Sequence, residues 1–96
     1  MGQYRLTPAV QRDLSSIWEY TVERWDSRQA ETYLLEIRSA LERIAEQPDR
    51  GRAVEAIRAG YRRYAIGSHL IFNTESSGGV DVIRILHQRM DPTRHL

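Results

Sequence analysis

The spacing of hydrophobic positions changes along the chain, from a period near 3.6 residues in the first half to a period of two in the second. Before the first helical stretch, Tyr4-Arg5-Leu6-Thr7 alternates apolar and polar residues, which predicts a short strand with Tyr4 and Leu6 facing the core. Thr7 followed by Pro8 predicts a helix start, because a Thr hydroxyl caps an orphan amide and proline at the first helical position loses no needed donor.

Two amphipathic helices follow. The first hydrophobic stripe is Val10, Leu14, Ile17, Trp18, Thr21, Val22 and Trp25, and the second is Ala30, Tyr33, Leu34, Ile37, Leu41, Ile44 and Ala45. Asp26 or Ser27 can cap the second helix, with Gln29 as a possible capping-box partner of Asp26. The second helix must end near Gln47, since Pro48 disfavours helical geometry in the residue before it. The short connection predicts an antiparallel helical hairpin.

The outer faces of these helices carry carboxylates, which we interpret as solvated: Asp13, Glu19, Glu23, Glu31, Glu36, Glu42 and Glu46. The large aromatic residues of the stripes, Trp18, Trp25 and Tyr33, are predicted to belong to the helical core. If one of them is exposed, it becomes a candidate anchor for a partner helix.

After the loop at 48–52 the pattern predicts strands. The segments are a weak candidate at 55–58, then 61–66, 69–73 and a strongest one at 80–86. Gly67-Ser68 and the Ser76–Gly79 segment predict hairpin turns, so the meander is antiparallel. On the last strand, alternation places Val82, Arg84 and Leu86 on one side, which we assign to the open face. The parity of Arg62 relative to Arg84 is left open.

This order predicts one domain over residues 1–96 with an α+β fold, β-α-α-β-β-β(-β). The helical hairpin packs on one face of a mainly antiparallel sheet, and residues 87–96 form a polar tail. With no cysteine, disulfides and thiolate zinc sites are excluded. No apolar run is long enough to cross a membrane and no secretory signal is visible, so we expect a cytoplasmic protein.

The charge is unevenly distributed. Residues 1–49 hold 6 Arg and 9 acids, whereas residues 50–96 hold 8 Arg and 4 acids, and the chain contains no Lys. Arginine favours bidentate recognition of carboxylate or phosphate. The densest basic segment, 50–66, interleaves Tyr61 and Tyr64 with five arginines, which suits nucleic acid or an acidic protein. A solvated strand edge that resists aggregation would have a similar composition.

The tail contains residue types that could serve acid/base chemistry. His87, His95, Arg62 and Arg89 could nominally supply the base, acid and cations of a metal-free ribonuclease. A polar chain end with chance histidines is an equal alternative. No Gly-rich phosphate loop, nucleophile elbow or Walker lysine is present, and we expect no metal and no cofactor.

Several runs, in order along nearly the whole chain, resemble ParE toxins of the RelE/ParE superfamily. They are Tyr4-Arg5-Leu6-Thr7-Pro8-Ala9, Ile17-Trp18-Glu19-Tyr20-Thr21, Glu23-Arg24-Trp25, Gln29-Ala30-Glu31-Thr32-Tyr33, Gly60–Tyr64 through His69, and Ile85-Leu86-His87-Gln88-Arg89-Met90-Asp91. The resemblance implies a RelE-like fold, a ParD antitoxin that occludes the toxin, and poisoning of DNA gyrase. Arg62 and Arg89 match phosphate-binding arginines of the superfamily's ribonucleases, but the lysines and the tyrosine near the end of those enzymes are missing here.

The resulting hypothesis is a non-enzymatic poison that stabilises the cleaved-DNA state of gyrase, without sequence-specific nucleic-acid binding. The target-binding residues are expected to be Arg62, Arg63, His87, Arg89, Met90 and Arg94. The antitoxin is expected to contact Trp18, Tyr33, Arg58, Tyr61 and Arg63. The alternative is a ribosome-dependent mRNA endoribonuclease using Arg62, His87, Arg89 and His95.

Overall fold

The computed structural model describes residues 2–96, which form two helices packed on a five-stranded sheet. The elements are β1 (Gln3–Leu6), α1 (Pro8–Arg24), α2 (Ser27–Glu46), β2 (Arg52–Ala53), β3 (Tyr61–Ile66), β4 (His69–Ser76) and β5 (Gly79–His87), with single 3₁₀ turns at Pro48–Arg50 and Pro92–Arg94. The strand order across the sheet is β1-β5-β4-β3-β2. Only β1 and β5 pair in parallel, and the other three pairs are antiparallel. The predicted fold class and element order are confirmed. Within residues 2–96, no helix is long and apolar enough to span a bilayer.

The helix boundaries follow from local chemistry, as predicted. The Thr7 hydroxyl accepts a hydrogen bond from the Val10 amide at 3.2 Å, with Pro8 at the first helical position. Asp26, rather than Ser27, caps α2, and its carboxylate accepts from the Gln29 amide at 2.8 Å. Such caps each contribute about 0.5–2 kcal/mol to stability.

The core lies between the helical hairpin and one face of the sheet. It combines the buried side chains of both helices with those of the two central strands: Val10, Ile17, Ile37, Ala40, Leu41, Ile44, Ala45, Ile71, Val80, Val82 and Ile85. Tyr4 and Leu6 of β1 pack against this cluster, as their alternation predicts.

The predicted weak strand at 55–58 is wrong. Those residues form a turn, in which the amides of Ile57 and Arg58 both donate to the Val54 carbonyl at 2.9 and 3.2 Å. The pairing strand lies just before it, as the two-residue β2. The turn reverses the chain so that the Val54 amide meets the Tyr61 carbonyl at 2.9 Å and β3 can begin.

The predicted parity of β5 is wrong for Val82. The register pairs Arg84 with Phe72 but Val82 with Asn73, so a β-bulge adds one residue to β5 at Ile83. Val82 therefore faces the helices, as Ile85 does, while Arg84 and Leu86 face the other side. Because residues directly opposite in a ladder share a face, Arg62, opposite Asn73, lies on the helix side. Arg62 and Arg84 thus point to opposite faces of the sheet.

Two aromatic residues predicted for the core are exposed. Trp18 is 39% exposed and Trp25 is 71% exposed. Consecutive helical residues are about 100° apart, so burying Ile17 turns Trp18 to the flank of the helix. Trp25 is the C-cap of α1, with φ −127° and ψ −93°, so the helical stripe no longer governs its direction. Tyr33 is half-buried and packs against the core cluster, as predicted.

Candidate functional site

Three polar rings from three elements meet where the sheet ends. His69 is the first residue of β4 and His87 the last residue of β5, and the register places them directly opposite each other. Their ring centroids are 5.3 Å apart, edge to face. Tyr33 reaches across from α2, and its hydroxyl oxygen is 2.6 Å from His69 Nδ1. The helical hairpin and the sheet together therefore build this cluster.

Hydrogen bonds hold the three rings in place. The Ser68 amide donates to the Tyr33 hydroxyl oxygen at 3.1 Å, and the Arg89 amide donates to His87 Nδ1 at 3.1 Å. The Tyr33 hydroxyl also lies 3.2 Å from the Ile66 carbonyl. Because the contact with His69 Nδ1 is the shorter of the two, we assign the single Tyr33 hydroxyl proton to that hydrogen bond. In its neutral form, His87 then carries its proton on Nε2.

Burial sets the ionisation of two of these rings. Burial, reinforced by the neighbouring His87, lowers the pKa of His69 below its usual 6.5, so that this ring is neutral at pH 7. Burial raises the pKa of Tyr33 above 10.0 and outweighs the opposing hydrogen bond from Ser68. Tyr33 and His69 are thus two oriented, neutral hydrogen-bonding groups beside His87.

The cluster lies in a groove of about 580 Å³ between the helix-hairpin turn and the ends of the strands. This histidine groove is lined by Tyr20, Thr21, Arg24, Trp25, Gln29, Tyr33, Ser68, His69, His87, Gln88 and Arg89. Its lining includes cationic, aromatic and amide side chains but no carboxylate. Sequence reasoning found His87, Arg89 and Tyr33 but not His69, which only the strand register brings beside them. Within residues 2–96 no group of three or more His, Cys, Asp or Glu side chains could hold a metal ion.

A second feature lies at the other edge of the sheet. Arg52 on β2 and Arg63 on β3 are directly opposite in the antiparallel ladder and so share a face. With Arg50 and Arg58 on either side of β2, they form what we term the arginine edge. Like charges directly opposite in a sheet are destabilising. Within the described chain neither Arg52 nor Arg63 has an ion pair with a carboxylate, so a bound anion would relieve their repulsion.

Neighbouring side chains of the arginine edge have local roles. The Arg62 guanidinium donates to the Gly51 carbonyl at 2.7 Å and is partly buried on the helix side. The Arg58 guanidinium lies 5.7 Å from the centre of the Tyr61 ring, within cation–π range. Glu55 accepts from the Gly60 amide at 3.2 Å.

Asp13, predicted to be a solvated helix residue, is instead part of a hydrogen-bonded ion pair. Its carboxylate accepts from Arg84 Nε at 2.8 Å, from Arg84 Nη2 at 2.7 Å, and from the Ile85 amide at 3.0 Å. These bonds to Asp13 raise the pKa of Arg84. The reason for the misassignment is that α1 runs beside the edge of β5 beyond the end of β1, so this carboxylate faces the sheet.

The structure separates the residues predicted to act together. Of the predicted target-binding residues, Arg62 and Arg63 lie at the start of β3, whereas His87 and Arg89 line the histidine groove. Met90 lines a smaller adjoining cavity, and Arg94 lies in the last 3₁₀ turn. Of the predicted antitoxin-binding residues, Tyr33 is in the groove and Trp18 is on α1, whereas Arg58, Tyr61 and Arg63 are at or beside the arginine edge.

The four residues of the ribonuclease alternative do not converge. Arg62 lies four residues along β3 and two strands across from His87, roughly 16 Å at ordinary strand spacings. His95 is in the C-terminal segment, where its carbonyl accepts from Arg84 Nη1 at 3.2 Å. Only His87 and Arg89 share a site.

Comparison with known proteins agrees with this architecture. Residues 4–92 match the family described as ParE toxin of type II toxin-antitoxin system, parDE. Toxin ParE1 of Mycobacterium tuberculosis is 47% identical over 99% of this chain and 98% of its own length. Toxin ParE1 of Caulobacter vibrioides is 44% identical over 100% of this chain and 99% of its own. A solved chain of the chromosomal ParDE TA system from P. aeruginosa has the same fold, with a TM-score of 0.78 and 15% identity over 91% of this chain and 96% of that one. The chain therefore belongs to the ParE toxin family of type II toxin-antitoxin systems.

Proposed function

We propose that this toxin inhibits DNA gyrase by binding and stabilising its cleaved-DNA state, and that a ParD-like antitoxin neutralises it. Family membership supports a toxin with a dedicated antitoxin, and the sequence resemblance supplies gyrase as the target. A ligand shifts an equilibrium toward the state that it binds more tightly. Trapping a cleaved intermediate therefore requires selective binding and no bond cleavage by the toxin itself.

The observation that carries the proposal is the Arg52–Arg63 pair. Two arginines directly opposite each other on one face of a sheet edge can bring both guanidiniums to a single carboxylate or phosphate. Their mutual repulsion makes the free edge less favourable than the occupied one. The toxin and its partner thus gain more from this contact than two isolated surface arginines would give.

The geometry argues against the endoribonuclease alternative. In-line cleavage needs a base, an acid and a phosphate-binding cation around one phosphodiester. Arg62 donates to the Gly51 carbonyl on the helix side, far from His87, and His95 lies in the C-terminal segment. The predicted catalytic residues are therefore spread over the fold rather than gathered around one bond, which supports a toxin that does not cleave RNA. The His69–His87 pair is the feature that would favour cleavage, so both activities need a direct test.

Neutralisation of the toxin by the antitoxin can also be explained by the arginine edge. Arg63 is among both the expected target contacts and the expected antitoxin contacts. An antitoxin that places acidic residues against Arg52 and Arg63, beside the Tyr61 ring, would occupy the surface that gyrase needs. The exposed Trp18 on α1 offers an apolar anchor for an amphipathic antitoxin helix. Antitoxin and gyrase would then compete for the toxin.

The test runs purified toxin through a gyrase supercoiling and cleavage assay and, in parallel, through a translating ribosome assay. The expected result is trapped cleaved DNA with intact mRNA. Arg63→Glu should raise the toxin concentration for half-maximal trapping by about 30-fold or more, since losing a paired interface charge costs about 2 kcal/mol or more. The matched control is Arg38→Glu, the same charge reversal on an exposed α2 residue.

The Arg63→Glu variant distinguishes a loss of binding from a loss of folding. Arg63→Glu places a carboxylate opposite Arg52, which turns a repulsive cross-strand pair into an attractive one. The variant should therefore melt no lower than the parent protein, so lost trapping would reflect lost contact. Cut transcripts with unaffected gyrase would overturn the proposal. Equal activity of the Arg63 and Arg38 variants would exclude the arginine edge as the contact surface.

A further inference from the structure

The histidine groove has a composition that the proposed gyrase contact does not use. Its lining contains no carboxylate and no aliphatic side chain. Anchors of an amphipathic helix need an apolar pocket. The groove is instead lined by hydrogen-bonding groups, among them the Tyr33 hydroxyl and the side-chain amides of Gln29 and Gln88. Two arginines, Arg24 and Arg89, also line it.

Aromatic rings and cations stand together at the rim. Trp25 is 71% exposed and Tyr20 is 55% exposed. The Arg24 guanidinium lies 5.3 Å from the centre of the Tyr20 ring. Large exposed rings beside guanidiniums are typical of surfaces on which unpaired bases stack while the cations neutralise the phosphates. A floor of oriented hydrogen-bonding groups and a cationic aromatic rim together suit a nucleotide better than an acidic peptide, because a nucleotide has a base that can stack as well as a phosphate.

The histidine groove continues beyond its own lining residues. A second cavity of about 490 Å³ adjoins it and shares the walls formed by Tyr20, His69 and His87. This second cavity extends to Ile17, Leu86 and Met90 and is more apolar than the first; its one carboxylate, Asp13, is paired with Arg84. An apolar space next to a cationic one can take a base and its neighbouring phosphate.

We propose that the histidine groove binds single-stranded nucleic acid without sequence preference. A base stacks on Trp25, and Arg89 and Arg24 contact the phosphates. The Nε2–H groups of His69 and His87, whose Nδ1 atoms are already hydrogen-bonded, donate to the nucleic acid. This site is separate from the arginine edge. Its occupancy does not depend on gyrase being the target.

Fluorescence anisotropy tests the proposal with a fluorescein-labelled, single-stranded thymidylate octamer and the full chain. Arg89→Gln should weaken binding by about 10-fold or more, the loss of one charge-assisted hydrogen bond. Trp25→Ala should weaken it by about 5- to 150-fold, the range for one stacked base. Arg38→Gln and Trp18→Ala make the same chemical changes outside the groove and should stay within about twofold of the parent protein. Trp25 and Arg89 are exposed, so these variants are expected to fold.

A second readout uses the intrinsic fluorescence. The chain has two tryptophans, so Trp18→Phe leaves Trp25 as the sole reporter, and its emission should be quenched as the octamer binds. Equal binding by the Arg89 and Arg38 variants would overturn the proposal, as would equal affinity for duplex DNA or no binding at all. Tighter binding and displacement of the octamer by polyglutamate would assign the groove to an acidic protein segment instead. These binding assays contain neither gyrase nor antitoxin, so a negative result would not bear on the proposed inhibition of gyrase. Likewise, a negative gyrase assay would not bear on nucleic-acid binding by the groove.

Discussion

Replacing Asp13 with Ala should destabilise this protein more than any other single change of a surface carboxylate. The carboxylate satisfies three donors, two from Arg84 and one from the Ile85 backbone. The two side chains are 11% and 22% exposed, so water can replace these bonds only in part. Removing the acid leaves a guanidinium and a strand amide without their partner, which is the costly way to break an ion pair.

The expected loss is about 2–4 kcal/mol, below the 3–5 kcal/mol of a fully buried pair because Arg84 retains some contact with solvent. In a domain of about 100 residues, each 1 kcal/mol shifts the melting temperature by about 4–8 °C. The Asp13→Ala variant should therefore melt about 10–25 °C below the parent protein. Asp13→Asn, which keeps an acceptor but loses the charge, should lie between the two.

Urea and thermal unfolding measure these differences. Glu19→Ala is the matched control, since Glu19 is an exposed carboxylate on the same helix, and it should change the unfolding free energy by less than about 0.5 kcal/mol. A double-mutant cycle with Arg84→Ala should give a coupling energy of about 1–3 kcal/mol. If Asp13→Ala costs no more than Glu19→Ala, or if the effects of Asp13→Ala and Arg84→Ala are additive, Asp13 is not a structural partner of β5.

Three further outcomes follow from single positions. Gly67→Ala should lower the unfolding free energy by about 1–3 kcal/mol more than Gly78→Ala, as measured by urea unfolding. Both glycines have positive φ, but only at Gly67 would an added Cβ contact the Tyr33 ring, at 2.6 Å, so equal losses would contradict this prediction. Burial lowers the pKa of His69, so as the pH falls the unfolded chain protonates this ring before the folded protein does. Stability should therefore fall as the pH drops below about 6.5 and level off below the pKa of the folded state, and His69→Gln should flatten this part of the pH profile. Asn73→Leu should raise the unfolding free energy by about 1–2 kcal/mol, because neither polar side-chain atom of this buried residue has a partner in the described chain; a loss of stability would indicate that a bound water satisfies them.

Periodicity and capping chemistry were sufficient for both helices and for four of the five strands, with only β2 missed. The start of α1 at Thr7-Pro8 and the Asp26 cap of α2 each depend on residues within one helical turn, so both can be predicted from a short stretch of sequence. The predicted strand at 55–58 was wrong because a four-residue segment is too short to distinguish a strand from a turn. The predicted burial of Trp18 was wrong because a stripe on a helical wheel is wider than the strip that contacts the sheet, and that of Trp25 was wrong because this residue is the C-cap, beyond the end of α1.

The histidine groove could not be assembled from sequence because its main pair depends on one bulged residue. Counting back from the Ser77-Gly78 turn without a bulge would place His69 opposite Leu86, with His87 on the other face. The extra residue at Ile83 instead brings His69 and His87 together on the helix side. A one-residue slip changes the face of every side chain beyond it. Alternation alone gives no sign of where such a slip occurs.

The short length of β1 links the Asp13 pair to the groove. β1 pairs only with residues 79–82, so the second half of β5 has a free edge on that side. Side chains from the start of α1 replace the missing strand: the Thr7 hydroxyl donates to the Ile83 carbonyl at 3.2 Å, and Asp13 accepts from the Ile85 amide. These contacts precede His87 by only two to four residues, so they fix the strand end that carries the groove. Asp13→Ala should accordingly weaken octamer binding even at temperatures where the variant is folded, while the arginine edge, three strands away, keeps its affinity for its partners.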